Sequence, residues 1–399
     1  MCSTASAPAA TRLFNRNFLL VSLINLLTMT VYYLLVVVSV PYLLHHFDIS
    51  QSAAGLVTSI IVIGCLAGRF LTGSLVARLP FRTLLMLGLA GYACVVWGYC
   101  QAGTLAGIFC MRFLAGFSVG VVGTVTATLV AYIVPTAQRG LGVSYFTMST
   151  ALALAAGPML GLFLIQVTSY ANVLLSCLGI AIFCILLPLG MDFRHIPRKG
   201  TDAPRSFLSL RSYISYRVIP FSCFVVLVSP GYSTIQAFIA PYAAERQLMA
   251  AASLFFLVYG AAVLATRPIS GRIFDKFGEN LVMYPSLLFM IAGLLLLAGG
   301  DSAAAMLTAA AMLGIGFGNF QSSSQAIALS LVTPDRFAQA ISTFFIFFDL
   351  GVGIGPWLLG VLVPAHGYAG VFLVLAVTTT LSAIPYHLLH GRKHPCRRP

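Results

Sequence analysis

The sequence predicts an all-α membrane protein: twelve transmembrane helices in two pseudo-symmetric six-helix halves. Three observations lead there: an internal duplication, a composition suited to lipid, and apolar runs of membrane-crossing length. Gly116, Ser118 and Gly120 recur as Gly314, Gly316 and Gly318, a displacement of 198 residues. The same displacement carries Arg69 to Arg267, Gly73 to Gly271 and Gly157-Pro158 to Gly355-Pro356. These matches hold over about 100 residues of each half without a gap, so the chain reads as two copies of one unit.

Composition places both copies in the bilayer. Mean hydropathy is +0.98, 59% of residues are hydrophobic and only 8% are charged, too little polar surface to cover a soluble domain of 399 residues. Apolar runs fall at 17–40, 51–76, 82–100, 104–134, 141–167 and 170–190, and again at 213–240, 248–271, 280–299, 302–331, 337–363 and 368–390. Each has about the 20 residues a helix needs to cross the hydrocarbon core. The first run follows Arg12 and Arg16, but at about 24 residues it exceeds a secretory h-region and reads as a span.

Charge orients these spans. Arg16, Arg78, Arg82, Arg139, the basic residues of 194–217, Arg272, Lys276, Arg336 and the tail from Arg392 all fall on one side of a twelve-span path. The opposite loops carry Arg246 with His45, His46, Asp48, Glu245 and Asp301. The positive-inside rule then puts both termini in the cytoplasm. The halves are expected at 1–190 and 213–390, joined by a cytoplasmic linker over 191–212 that contains Pro197, Gly200 and Pro204, with a basic tail at 391–399. Loops this short point to a cell inner membrane.

Several function classes are excluded. The net charge of +13 is dispersed along short membrane loops, where it serves topology and contact with anionic lipid, so no nucleic-acid partner is expected. The cysteines have no CxxC spacing and read as small apolar packing residues. His45-His46 reads as an interfacial pair, and neither a metal site nor a cofactor is expected. No GxxxxGK[ST] or HExxH occurs, and the one GxSxG, Gly116 to Gly120, falls inside an apolar run and loses its serine in the second copy, where Gly316 stands, so the chain does not read as an enzyme, and any uphill work must draw on an ion or solute gradient.

Two motifs have physical reasons of their own. In Arg69-Phe-Leu-Thr-Gly73-Ser-Leu-Val-Ala77-Arg78 and Arg267-Pro-Ile-Ser-Gly271-Arg-Ile-Phe-Asp275-Lys276, glycines permit a tight loop and an acid can pair with bases or a helix N-terminus. Gly157-Pro158-Met-Leu-Gly161 and Gly351 to Gly360, with Gly355-Pro356, combine a missing backbone donor with missing bulk, so these helices can bend and approach neighbours closely. Together with Arg112-Phe-Leu-Ala-Gly116, these segments resemble the signature set of the major facilitator superfamily, and more narrowly its twelve-span drug:proton antiporter branch. The resemblance implies a cytoplasmic gate latched by the loop acid, which here is Asp275, with Ala77 in the first copy. It also associates the span-five motif with export and the span-four arginine, Arg112, with proton coupling.

Of nine acids, Asp349 alone lies well inside an apolar run. Burying it near a helix centre costs roughly 2.5 to 3.5 kcal/mol, so it should face a cavity or a partner. Its repeat equivalent is Ala151, and that of Arg112 is Ala310. Asp349 and Arg112 are therefore the proton-coupling candidates, expected to report on one cavity, whereas Arg69 and Arg267 are expected at span ends as gate anchors. Cavity candidates are Asn25, Tyr32, Tyr33, Tyr145, Tyr232, Gln236, Asn319, Gln321, Gln325, Phe345 and Phe348, a mixture suited to an apolar or amphipathic solute.

The expected protein is thus a monomeric, proton-coupled exporter of a small amphipathic or hydrophobic solute, working by alternating access between two halves. An importer or facilitator of sugars, organic acids or osmolytes, and a non-transporting sensor or lipid-handling protein, are the alternatives.

Overall fold

The computed structural model describes residues 13–46, 51–76, 78–101, 103–194, 196 and 214–392, and every regular element among them is helical. The first half consists of α1 (Arg16–His46), α2 (Gln51–Leu75), α3 (Phe81–Gln101), α4 (Leu105–Ile133), α5 (Arg139–Val167) and α6 (Tyr170–Leu186). The second consists of α7 (Ile219–Val228), α8 (Pro230–Glu245), α9 (Met249–Phe277), α10 (Asn280–Gly299), α11 (Ala303–Ser330), α12 (Phe337–Gly360) and α13 (Val363–Tyr386). Among the described residues 11 helices are long and apolar enough to cross a membrane, and α2 adds a shorter apolar helix over Ile60–Leu75. The segments α7 and α8 form one crossing, Ile219–Glu245, interrupted where Pro230 has no N–H to offer the Val226 carbonyl. Ala77, most of the linker and nearly all of the tail lie outside the described residues.

The duplication is visible in side-chain detail. Thr104 caps α4 by accepting from the Gly107 N–H at 3.2 Å, and Ser302, its equivalent, caps α11 by accepting from the Ala305 N–H at 3.1 Å. A Cβ on Gly116 would strike the Ile61 carbonyl, and one on Gly314 would strike the Tyr259 carbonyl, again 198 residues on. Gly64 and Gly68 of α2 press on α4 backbone in the same way, so α2 and α4, like α9 and α11, meet backbone to backbone. Lipid tails offer no hydrophobic drive between helices, and close packing of this kind supplies much of what holds each half together.

The helix-bend motifs pack just as closely. Gly157 and Gly161 on α5 abut Thr30, Tyr33, Leu34 and Val38 of α1, while Gly355 on α12 abuts Pro230 and Ser233 of α8. Gly351 sits against the Val226 carbonyl that Pro230 leaves without a helical donor. Pro158 and Pro356 lie inside their helices.

Buried apolar residues form four clusters at two levels of the bundle. At the level holding Arg78, Arg139 and Arg336, the basic end, one cluster runs across both halves and joins Leu129, Val130 and Val134 to Leu329, Phe337 and Ile341. At the other level the clusters stay apart: Val31, Tyr92, Ile108 and Val173 on one side, Tyr242, Phe255, Leu313 and Phe372 on the other. The two halves are therefore fused at the basic end and distinct at the opposite end.

Candidate functional site

Four helices make the two seams between the halves: α2 with α12, and α5 with α9. Between the seams lies a cavity of about 200 Å³. Its walls come from α1 (Asn25, Met29, Tyr32, Tyr33), α2 (Cys65, Arg69), α5 (Phe146, Thr147, Ala151), α8 (Tyr232, Gln236), α9 (Tyr259, Arg267), α11 (Phe317, Gln321) and α12 (Phe345, Phe348, Asp349). Aromatic faces dominate, with few polar groups, as is usual for sites that take small organic solutes. Tyr232 stacks on Phe317 with centroids 4.8 Å apart, and Tyr32 meets Tyr33 edge to face at 5.1 Å.

Three charged side chains line this cavity: Arg69, Arg267 and Asp349. Arg69 Nε donates to Asp349 Oδ2 at 2.6 Å, an ion pair that ties the first half to the second. The pair is largely withdrawn from solvent, with side-chain exposures of 8% and 16%. The Cys65 thiol donates to the same carboxylate oxygen at 3.3 Å, and the Arg69 guanidinium lies 4.2 Å from the centre of the Phe345 ring. Two turns before Asp349 on α12, Ser342 Oγ donates to the Arg69 carbonyl at 2.6 Å, which fastens α12 to the α2 backbone.

Arg267 is the repeat equivalent of Arg69 and has a different setting. It is 2% exposed, its Nη2 donates to Gln321 Oε1 at 3.3 Å, and neither Nε nor Nη1 has a hydrogen-bond partner. No carboxylate faces it among the described residues lining the cavity other than Asp349, which Arg69 already holds.

At the basic end Asp275 bridges the halves. Its Oδ1 accepts from the Gly140 N–H at 2.7 Å and its Oδ2 from the Leu141 N–H at 2.9 Å. Those donors belong to the first turn of α5, whose amides have no helical acceptors, so a carboxylate there gains both hydrogen bonds and the helix dipole. Gly271, one turn earlier on α9, lets the helices close until its Cα faces Leu141 and Ser144. Tyr132 completes the closure by donating to the Pro334 carbonyl at 2.6 Å and packing on Phe337. Arg78 and Lys276 are exposed at this end, and Gly73 is buried.

Several expected positions need correction. Arg69 and Arg267 are cavity residues rather than anchors at span ends: α2 continues six residues past Arg69 and α9 ten past Arg267, roughly 9 and 15 Å of helix. Arg112 does not line the cavity. It lies near the other end of α4, donates from Nη2 to the Leu35 carbonyl at 3.3 Å and rests over Tyr99. Asp349 is therefore joined to Arg69, a partner that the sequence reading assigned elsewhere. The signal was available in the ladder of Gly64, Gly68 and Thr72, which shows the helix running on through Arg69.

Three cavity candidates also lie elsewhere. Tyr145 packs edge to face on Phe14 at 4.9 Å. Asn319 ties α11 to α9 by accepting from Ser270 Oγ at 2.8 Å and donating to Thr266. Gln325 is fully buried within α11. Asn25, Tyr32, Tyr33, Tyr232, Gln236, Gln321, Phe345 and Phe348 do line the cavity, and Asn25 donates to Ser149 and Thr150 of α5.

A duplicated helical bundle, fused at one end around a central cavity with a few charged groups, is the build of a membrane carrier. The sequence model of the Major Facilitator Superfamily matches residues 21–300 and 223–398. An MFS-type transporter of Burkholderia mallei is 29% identical over 363 residues, covering 87% of this chain and 86% of its own. Another from Salmonella typhimurium is 28% identical over 281 residues, 70% of each chain. Among solved structures, the human organic anion transporter MFSD10 superimposes with a TM-score of 0.77 at 17% identity, covering 94% of this chain and 99% of that one. The transporter FucP in its outward conformation gives 0.76 at 16%, with coverage of 95% and 100%. The proton:xylose symporter XylE gives 0.75 at 15%, with coverage of 94% and 96%. The chain belongs to the major facilitator superfamily: it is a multi-pass membrane transporter of small molecules, not an enzyme. Membership removes the non-transporting alternative.

Proposed function

We propose that this transporter is a proton-coupled exporter of a small amphipathic solute, akin to the drug:proton antiporter branch, and that Asp349 is its proton carrier. The observation that carries this reading is the Arg69–Asp349 ion pair, which sits in the central cavity and spans the two halves. Protonation of Asp349 removes the charge that holds Arg69, so α2 and α12 lose their strongest cross-link at cavity level. A proton thereby changes the stability of one seam, as a coupling site must.

The cycle follows from the two ends of the bundle. With the basic end cytoplasmic, the described conformation is sealed from the cytoplasm by Asp275, Tyr132 and the shared core, and the proton enters Asp349 from the other face. Loosening of the α2–α12 seam lets the halves rock and opens the basic end to solute. Return of the proton to the cytoplasm re-forms the pair and carries the solute out. The moving bodies in this scheme are residues 1–190 and 213–390, joined by the 191–212 linker, in a monomer held in the inner membrane with lipid around it. One proton crossing 100 mV supplies about 2.3 kcal/mol, enough for roughly a 40-fold gradient of a neutral solute.

The test is substrate flux in proteoliposomes of known orientation, driven by an imposed pH jump. Asp349→Asn should abolish uphill movement yet leave the protein folded and capable of solute exchange. Undiminished proton-driven flux in that variant would remove Asp349 from coupling, and flux toward the basic face would reverse the direction.

A further inference from the structure

We propose that the solute is an organic anion and that Arg267, assisted by Gln321, is the receptor for its anionic group. The inference rests on the reading of the central cavity as the translocation pathway, and it names the substrate class for that pathway.

The argument starts from the repeat. Arg69 and Arg267 occupy equivalent places on α2 and α9, and both face the cavity. The carboxylate that neutralises Arg69 comes from α12 at Asp349. Its equivalent on α5 is Ala151, which lines the same cavity on the seam beside α9. The second seam therefore keeps the arginine of the pair and has a methyl group where the first has a carboxylate. The cavity carries two guanidinium groups against one carboxylate, a net charge of +1.

A buried guanidinium presents five N–H donors, and each one left without an acceptor is costly in a low-dielectric interior. Arg267 satisfies one donor with a neutral amide at 3.3 Å, while Nε and Nη1 have no partner. Two parallel N–H groups of guanidinium match the two oxygens of a carboxylate, and the same fork fits a phosphonate or sulfonate. Val263 and Tyr259 stand one and two turns from Arg267 along α9, and Tyr232 stacks on Phe317 across from them. An anionic head at Arg267 thus has an aromatic wall beside it for an apolar body. The solute supplies the counter-charge that Ala151 does not, and it leaves again because no covalent tether holds it, as Asp349 is held opposite Arg69.

Binding without any gradient tests this directly. Purified protein in lipid nanodiscs is titrated with matched pairs, benzoate against benzamide, octanoate against octanamide and N-acetylphenylalanine against its amide, together with phenylphosphonate and benzenesulfonate, and thermal stabilisation is followed. At least one anion should bind ten-fold or more tightly than its neutral partner. Arg267→Gln should remove that preference, and Arg267→Lys should restore part of it. Ala151→Asp, which leaves Arg267 in place and installs the missing carboxylate, should suppress anion binding just as strongly. The inference is overturned if no anion is preferred over its amide, or if the preference survives unchanged in folded Ala151→Asp and Arg267→Gln protein. Because no proton gradient is present, loss of anion selectivity leaves the export reading standing, and loss of proton coupling in the flux assay leaves anion recognition standing.

Discussion

The two seams between the halves are built from equivalent helices and closed by different means. The α2–α12 seam is held at cavity level by Arg69 and Asp349, with Ser342 fastened to the Arg69 carbonyl. The α5–α9 seam is held at its basic edge by Asp275 on the first amides of α5, and its cavity-level arginine has no acid opposite it. Each seam acid has an alanine as its repeat equivalent, Ala151 for Asp349 and Ala77 for Asp275. The scaffold is duplicated and the charges alternate, so a single event can release one seam without releasing the other. In the proposed scheme protonation of Asp349 acts on the α2–α12 seam alone, because the α5–α9 seam has Ala151 at the equivalent position.

Three substitutions break or sharpen the contrast. The largest effect is expected from Arg69→Gln, which leaves Asp349 charged and unpaired in the bilayer interior, at a cost of about 3 kcal/mol. Its thermal midpoint in detergent should fall well below that of the double variant Arg69→Gln/Asp349→Asn. Equal midpoints would mean that the carboxylate left without Arg69 carries no such cost. Next comes Asp275→Ala, which removes two charge-assisted hydrogen bonds from the other seam and should shift the balance toward an open basic end by about 2 kcal/mol, roughly 30-fold. In a background freed of native cysteines, Thr147→Cys in the cavity should then react faster with a bulky thiol reagent supplied from the basic side. The smallest effect belongs to Ser342→Ala, which deletes one buried hydroxyl bond worth about 1 kcal/mol. Flux should keep its proton dependence there, with a modest loss of thermal stability confined to the first seam.

The fold was legible because lipid imposes a simple code. Apolar runs of fixed length, basic loops on one side and glycines repeated at 198 residues left little room for another architecture, and the caps at Thr104 and Ser302 show the code persisting to single hydrogen bonds. Asp349 was legible for a related reason, since an acid inside an apolar run must find a partner. Its partner was not. Arg69 and Arg267 follow long apolar stretches, and hydropathy treats an arginine there as the edge of a span, although α2 continues for six residues and α9 for ten into the basic end. Arg112 misled in another way: the face of α4 it occupies is set by packing on Leu35 and Tyr99, which no periodicity in an almost wholly apolar helix reveals.

The glycine-to-carbonyl contacts inside each half have a consequence for how such a protein can diversify. Gly64, Gly68, Gly116 and Gly120, with Gly314, leave no volume for any larger residue without parting two backbones. Saturation mutagenesis should therefore find these stripes intolerant whatever cargo is selected, whereas positions such as Ala151 and Gln236 can be exchanged freely enough to retune selectivity. New specificities would then be reached by editing the lining between two stiff levers.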